Sequence, residues 1–231
     1  MSLRLHIAET FHSLKGEGLW SGVPMFFIRF AGCNVGKQGP ANMTVRRSDN
    51  PELSILGTTC TSWDGRQFGC DTDYNRYETL DLFDNEAVDT FFAPVWEKRV
   101  VLTGGEPLQQ GAAFAYLMSI LHRRGKIAHI ETSGTIRYDF SPGSAWVAVA
   151  PKLGCLEVML RQADEIKLLV DAGFDLKMVP PICFEHDLVF VCPINPGREH
   201  NYDNLELCQQ LIRQNPKWRL GVQLHKFLGI R

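Results

Sequence analysis

Seven cysteines punctuate the chain: Cys33, Cys60, Cys70, Cys155, Cys183, Cys192 and Cys208. None forms a C-x-x-C pair, so the zinc-ribbon and thioredoxin signatures are both absent. Cys33, Cys60 and Cys70 stand apart, because each lies in a glycine-flanked or polar stretch and no other cysteine precedes Cys155. Three thiolates can hold a cubane iron–sulfur cluster and leave one iron open, whereas purely electron-transfer clusters normally use four. Their loose spacing alone leaves a cluster, zinc or no metal open. Cys155, Cys183 and Cys208 read as half-buried core thiols. Cys192 reads the same way, although it ends an apolar run.

A second group of residues gains its meaning from position. Polar and glycine-rich pieces follow short apolar runs again and again. Arg29 and Ala31-Gly32-Cys33 close Met25–Phe30, and Thr103-Gly104-Gly105-Glu106-Pro107 closes Arg99–Thr103. Glu131-Thr132-Ser133-Gly134-Thr135, Pro151-Lys152, Pro193-Ile194-Asn195-Pro196 and His225-Lys226 follow later runs. In parallel α/β architectures the reacting groups collect at the C-terminal ends of the strands, so six such pieces on one rim describe a site. Two glycines allow close approach of backbone to a ligand, and exposed amides and carbonyls there suit a zwitterionic amino acid. The carboxylate of Glu106 is expected to support an ammonium group beside them.

The elements that must position these groups follow from periodicity. Strands are expected at Met25–Phe30, Arg99–Thr103, Lys126–Glu131, Ala145–Ala150, Glu165–Val170, Asp187–Cys192 and Arg219–Leu224, and helices at Leu80–Phe92, Gln110–Arg124 and Asn201–Gln214. Their alternation predicts βαβ units, a mainly parallel sheet and a full or partial barrel. One domain spanning 1–231 is expected. Residues 36–59, rich in Gly, Pro, Asn, Ser and charge, have no clear period and read as an insertion beside the site.

Composition narrows the function classes. The chain is 45% hydrophobic and 22% charged, ordinary for a soluble globular enzyme, and at 231 residues it can bury a core without disulfides. A formal charge of −2 shows no basic excess, so neither nucleic acid nor an anionic membrane is an expected partner. Met1 to Thr10 lacks the apolar run of a signal peptide, and no stretch approaches the roughly 18 apolar residues that span a bilayer. An odd cysteine count without secretory context favours reduced thiols and a cytoplasmic location.

The motifs taken together resemble the 7-carboxy-7-deazaguanine synthase family of the radical S-adenosylmethionine superfamily. They are Phe11-His12-Ser13-Leu14-Lys15-Gly16-Glu17-Gly18, Phe27-Ile28-Arg29-Phe30-Ala31-Gly32-Cys33, Cys70-Asp71-Thr72-Asp73-Tyr74, Thr103–Pro107, Glu131-Thr132-Ser133-Gly134, Ala150-Pro151-Lys152 and the terminal Gln223–Arg231. The resemblance implies a modified partial (β/α) barrel and a homodimer. It implies conversion of 6-carboxy-5,6,7,8-tetrahydropterin to 7-carboxy-7-deazaguanine with loss of ammonia, in the biosynthesis of queuosine and other 7-deazapurines. A [4Fe–4S] cluster, S-adenosyl-L-methionine and Mg²⁺ are the implied cofactors, and a flavodoxin or ferredoxin the implied electron donor. In such an enzyme the cofactor carries the hard chemistry and the protein supplies position and dryness.

Carried over by position, Cys33, Cys60 and Cys70 are the implied cluster ligands and Thr72 the magnesium contact. Gly69, Cys70, Asp71, Gly105, Ala150, Pro151, Lys152, Cys192, Pro193, Ile194 and Asn195 are implied at the S-adenosylmethionine site. Leu14, Lys15, Gly16, Arg29, Thr103 and Arg231 are implied at the substrate, where a guanidinium such as that of Arg29 can clamp a carboxylate. Cys33 and Cys70 carry matching flanks on both sides, and Cys60 is third by elimination. Lys15 stands where the family usually has Gln, and Cys192-Pro193-Ile194-Asn195 departs from the usual Gln-Pro-Met. Two other readings compete: a radical enzyme that activates a glycyl-radical protein, and a non-catalytic metal-binding barrel.

Overall fold

The computed structural model describes residues 3–38, 58–70, 72, 77–195 and 200–230. Most of the expected insertion over 36–59 therefore lies outside the described residues, as do Asp71 and Arg231. The strands are β1 (Arg4–Leu14), β2 (Pro24–Phe30), β3 (Lys37–Gln38), β4 (Thr58–Thr61), β5 (Gln67–Gly69), β6 (Glu78–Asp81), β7 (Arg99–Gly104), β8 (Ile127–Thr132), β9 (Ala145–Val149), β10 (Glu165–Val170), β11 (Val189–Pro193) and β12 (Arg219–Leu220). The helices are α1 (Asn85–Phe92), α2 (Ala112–Arg123), α3 (Glu157–Arg161), α4 (Ile182–Glu185), α5 (Tyr202–Gln214) and α6 (Leu224–Leu228).

Nine strands form one sheet in the order β12-β11-β10-β9-β8-β7-β2-β1-β6. Every pair from β12 to β2 is parallel, while β1 is antiparallel to both β2 and β6. The order is open at both ends, as the expected partial barrel requires. It is bridged by the segment after β1, whose Gly16 carbonyl accepts from Leu224 N at 2.8 Å beyond β12. A separate three-stranded sheet, β3-β4-β5, carries Cys60 and leads into Cys70.

Alternation along each strand sets what the two faces of the large sheet do. Val100 and Leu102, Ala128 and Ile130, Val147 and Val149, Ile166 and Leu168, and Val189 and Val191 all point into one buried cluster with Phe114, Leu117 and Leu121 of α2 and Cys208 and Leu211 of α5. The intervening positions include Arg99 and Thr103, His129 and Glu131, Trp146, Glu165 and Lys167, and Phe190 and Cys192. Parallel strands buried on both faces usually read as unbroken apolar runs. Charges at these alternate positions place a polar interior on the face away from the helices.

Three expectations need correction. Arg4–Leu14 was not foreseen as an element, yet it is the longest strand. Leu5 and Ile7 bury on one side, and Phe11 stacks on its β2 partner Phe27 at 4.8 Å. The helix expected over Leu80–Phe92 begins only at Asn85, because Asp84 caps it by accepting from Ala87 N at 3.0 Å, while Leu80 belongs to β6. The strand expected over Arg219–Leu224 ends at Leu220, and Leu224 starts α6. Among the described residues no helix is long and apolar enough to cross a membrane.

Candidate active site

A cavity of about 620 Å³ opens at the C-terminal ends of the parallel strands. Its wall brings together thirteen of the expected site residues: Cys33, Cys60, Cys70, Gly69, Thr72, Thr103, Gly105, Ala150, Lys152, Cys192, Pro193, Ile194 and Asn195. Leu14, Lys15, Gly16, Arg29 and Pro151 lie behind or beside that wall rather than on it.

The three cysteines reach the cavity on two structures. Cys33 follows β2, where its Sγ accepts from Gly36 N at 3.3 Å. Cys60 lies on β4 opposite Phe68 of β5, and Cys70 follows β5 directly. The turn joining β4 and β5 is anchored by Arg66. Its guanidinium bonds Asp64 at 2.6 Å, Asp171 at 2.5 Å and the Leu169 carbonyl at 2.8 Å, and it faces the rings of Trp63 and Phe174. Ser62 bridges to Lys152, and Leu153 N donates to the Thr61 carbonyl at 3.1 Å. Cys60 is therefore held to the end of β10 and to the loop after β9. The anchoring role of Arg66 was not legible in the sequence, because Asp171 and Leu169, which it bonds across the structure, lie about a hundred positions away.

Gly104 and Gly105 are needed for close approach. Gly104 has φ +140°, and a Cβ there would meet the Phe30 carbonyl oxygen at 2.3 Å. A Cβ on Gly105 would lie 1.8 Å from the Gly32 oxygen and 2.8 Å from Cys33 Cβ, so this loop and the Cys33 loop touch backbone to backbone. Glu106 does not take the role expected of it. Its side chain is fully buried, accepts from Leu108 N, Thr132 Oγ1 and Ser133 N at 3.1, 2.8 and 2.8 Å, and is absent from the cavity wall. The carboxylate ties the loop after β7 to that after β8, so no capacity is left for a ligand's ammonium.

Below the cavity lies a chain of buried charges. Lys15 Nζ bonds Glu131 Oε1 at 2.5 Å, and Lys167 Nζ bonds Glu131 Oε2 at 2.5 Å and Glu17 Oε2 at 3.2 Å. Gln223 Nε2 donates to the other Glu17 oxygen at 2.9 Å. Burial works against the charge of Glu17, yet Lys167, Lys15, Gln223 and His225 outweigh it and hold the carboxyl down at about 2. Glu131 is likewise lowered, with Lys15 and Lys167 overcoming burial. Glu17, Glu131 and Gln223 line the cavity, although as single residues they carried no expected role. Lys167 was legible in one respect, as a lone cation inside the apolar run Glu165–Val170.

Arg29 is held at the same rim. Its Nε donates to Glu9 at 2.8 Å and its Nη1 to the Thr72 hydroxyl at 3.2 Å, while Thr103 is its register partner on β7. The remaining cysteines behave as core. Burial pushes Cys155 up to about 11, Cys183 and Cys208 up to about 12, and Cys192 well above its ordinary value, so none is a ready thiolate.

The donor chemistry suits an iron–sulfur group. Three thiols share one wall, and burial of Lys152 is opposed by Cys60, Cys70, Glu17 and Cys33 around its ammonium. Among the described residues no three His, Cys, Asp or Glu side chains converge as a ready metal chelate, so the thiols share a cavity rather than a closed coordination site.

No family model matches the chain. It is similar, however, to curated proteins named 7-carboxy-7-deazaguanine synthase. The relative from Bradyrhizobium diazoefficiens is 34% identical and the one from Bordetella pertussis 32%, each over 97% of this chain and 98% of the relative. The relative from Methanospirillum hungatei is 29% identical over 98% of this chain and 86% of its own length. Among solved structures, the crystal structure of QueE from Escherichia coli superposes with a TM-score of 0.64 at 28% identity, over 95% of this chain and 94% of that one.

Proposed function

The chain belongs to the 7-carboxy-7-deazaguanine synthase family, and from that membership and its cavity we propose that it converts 6-carboxy-5,6,7,8-tetrahydropterin to 7-carboxy-7-deazaguanine and ammonia. The observation that carries the reading is the meeting of Cys33, Cys60 and Cys70 with the Thr103–Gly105 segment, Ala150 and Lys152 on one cavity wall. Cys33, Cys60 and Cys70 would hold the [4Fe–4S] cluster and leave one iron open for S-adenosylmethionine. When bound, the cluster would supply the electron that splits the cofactor's sulfonium.

The chain's own residues do the binding and placing. The backbone at Gly69 and Gly105, the Ala150–Lys152 segment and the Cys192–Asn195 turn line the volume left for S-adenosylmethionine, with Asp71 at its edge by motif. The substrate then falls to the other side, toward Thr103 and Arg29. The guanidinium of Arg29 has the charge and planarity to hold the pterin carboxylate. Lys15 is already paired with Glu131 and backs the wall, so it supports a carboxylate of this chain rather than one of the ligand. Leu14 and Gly16 shape the same segment, and Arg231 would close the pocket from the C-terminus. Thr72 is the proposed magnesium contact, with substrate oxygens and waters completing a shell that Mg²⁺ seldom takes from protein alone. An external flavodoxin or ferredoxin would deliver the electron to one domain of a homodimer.

Anaerobically reconstituted enzyme, given dithionite, S-adenosylmethionine, Mg²⁺ and carboxytetrahydropterin, is expected to form 7-carboxy-7-deazaguanine detectable by mass spectrometry. Methionine and 5′-deoxyadenosine released without that product would overturn the substrate assignment.

A further inference from the structure

The charge chain beneath the cavity is built asymmetrically. Its two carboxylates, Glu17 and Glu131, face the cavity, while Lys167, 2% exposed on a central strand, does not. Lys167 Nζ touches both acids, at 3.2 Å to Glu17 Oε2 and 2.5 Å to Glu131 Oε2. From the middle of β10 it bridges the segment after β1 and the end of β8. A buried ion pair is a weak stabiliser, and replacing it by packed apolar groups is often neutral or better. Stability alone therefore gives poor reason for two half-buried carboxylates with a buried cation behind them. A cavity wall that must present anions to a ligand gives a direct one.

We propose that Lys167 is a positioning residue that holds Glu17 and Glu131 as a pair of anions aimed at the N–H donors of the substrate. The proposal rests on the reading above that a tetrahydropterin enters this cavity. Such a ring carries an amino group and several ring N–H groups, and ionised carboxylates accept from these more strongly than neutral groups do. Without Lys167, Glu131 would keep its bond to Lys15 and Glu17 its bond to Gln223, with His225 as the further compensating charge near Glu17. Neighbouring carboxylates with too little compensating charge cannot both stay ionised, so one takes up a proton and ceases to be a pure acceptor. The other charged and titratable groups around them are Lys15, His129, Lys152, Glu165, Cys192 and His225, of which Lys15 bonds Glu131 directly and His225 also lowers Glu17.

The test uses reconstituted holoenzyme as wild type, Lys167→Gln and Glu131→Gln/Lys167→Gln. The first readout is infrared difference spectroscopy of protonated carboxyl groups, which needs no turnover. Between about pH 6 and pH 8.5 the wild type should show no titrating buried carboxyl, and Lys167→Gln should show one that disappears in the double variant. The second is KM against kcat for the pterin. The KM of Lys167→Gln should rise about tenfold from the alkaline to the acid end of that range while its kcat changes far less, and the wild-type KM should stay flat. A Lys167→Gln enzyme with no new carboxyl band and a flat, wild-type KM overturns the proposal. If Lys167→Gln gives no cooperative unfolding transition, the double variant decides. A raised, pH-independent KM supports the positioning role, and a wild-type KM overturns it. Should the wild type form no deazaguanine, the substrate reading fails, while the infrared arm still decides whether Lys167 holds the acids ionised.

Discussion

Cys60 was the least anchored of the three proposed ligands in the sequence, yet it faces the same cavity as Cys33 and Cys70. The other four thiols are raised in pKa by burial around them, which makes them poor ligands. Cys60→Ala is expected to abolish iron and sulfide uptake on anaerobic reconstitution, as are Cys33→Ala and Cys70→Ala, whereas Cys155→Ala should retain it. Iron retained by Cys60→Ala would assign the third ligand elsewhere. Glu106 shows the opposite case. Its place after Gly-Gly suggested a ligand contact, but the carboxylate is fully buried and engaged by Leu108, Thr132 and Ser133. A residue's neighbours in sequence told where its backbone sits and not where its side chain turns.

The small β3-β4-β5 sheet depends on Arg66 for its seat against the barrel. That side chain is paired with Asp64 and Asp171, and the Asp64 side chain is 3% exposed. Arg66→Ala leaves a buried carboxylate unpaired, a change that typically costs about 3–5 kcal/mol. The loss should fall first on the β4–β5 hairpin, whose turn carries Arg66 and its bonds to Asp171 and the Leu169 carbonyl. Hydrogen exchange should report early opening at Thr59–Gly69, and the reconstituted variant should lose iron faster than wild type while β7 to β11 stay protected. Equal protection of the hairpin in both proteins would refute the anchoring role. Missed elements have a shared physical origin. The strand Arg4–Leu14 carries polar residues on its outer side, and only pairing with β2 and β6 gives that pattern a sheet to belong to. At Leu80–Phe92 the apolar spacing fits a helix, but β6 pairing and the Asp84 cap divide the run.

At the scale of the whole molecule, burying charge inside the sheet makes stability depend on pH. His129 lies beneath the cavity with Arg99 at 2.8 Å, and burial followed by the charges of Arg99 and Lys15 lowers its pKa to about 3. Glu17 is held at about 2. A folded-state pKa below the unfolded one means that the unfolded chain binds more protons between the two values, so acid favours unfolding. On acidification from neutral pH, stability should fall below about pH 6.5 as unfolded His129 protonates, and fall further below about pH 4.5 as unfolded Glu17 does. Urea midpoints measured against pH should show this two-stage decline, and His129→Phe should remove the upper stage. A single stage near pH 4.5 in both proteins would contradict it. Much of this molecule was settled by sequence alone: an α/β chain with parallel strands, reactive groups at their C-terminal ends, and a family whose motifs sit in order along the chain. Those features are local, written in alternation, in Gly-Gly turns and in the residues just past each strand. Tertiary structure decided that Cys60 joins Cys33 and Cys70, that Glu106 serves the scaffold, and that Lys15, Glu17, Glu131 and Lys167 form one buried chain of charge. These contacts join positions as far apart as Glu17 and Lys167, and only the curvature that brings the segment after β1 across the sheet puts opposite charges within bonding reach.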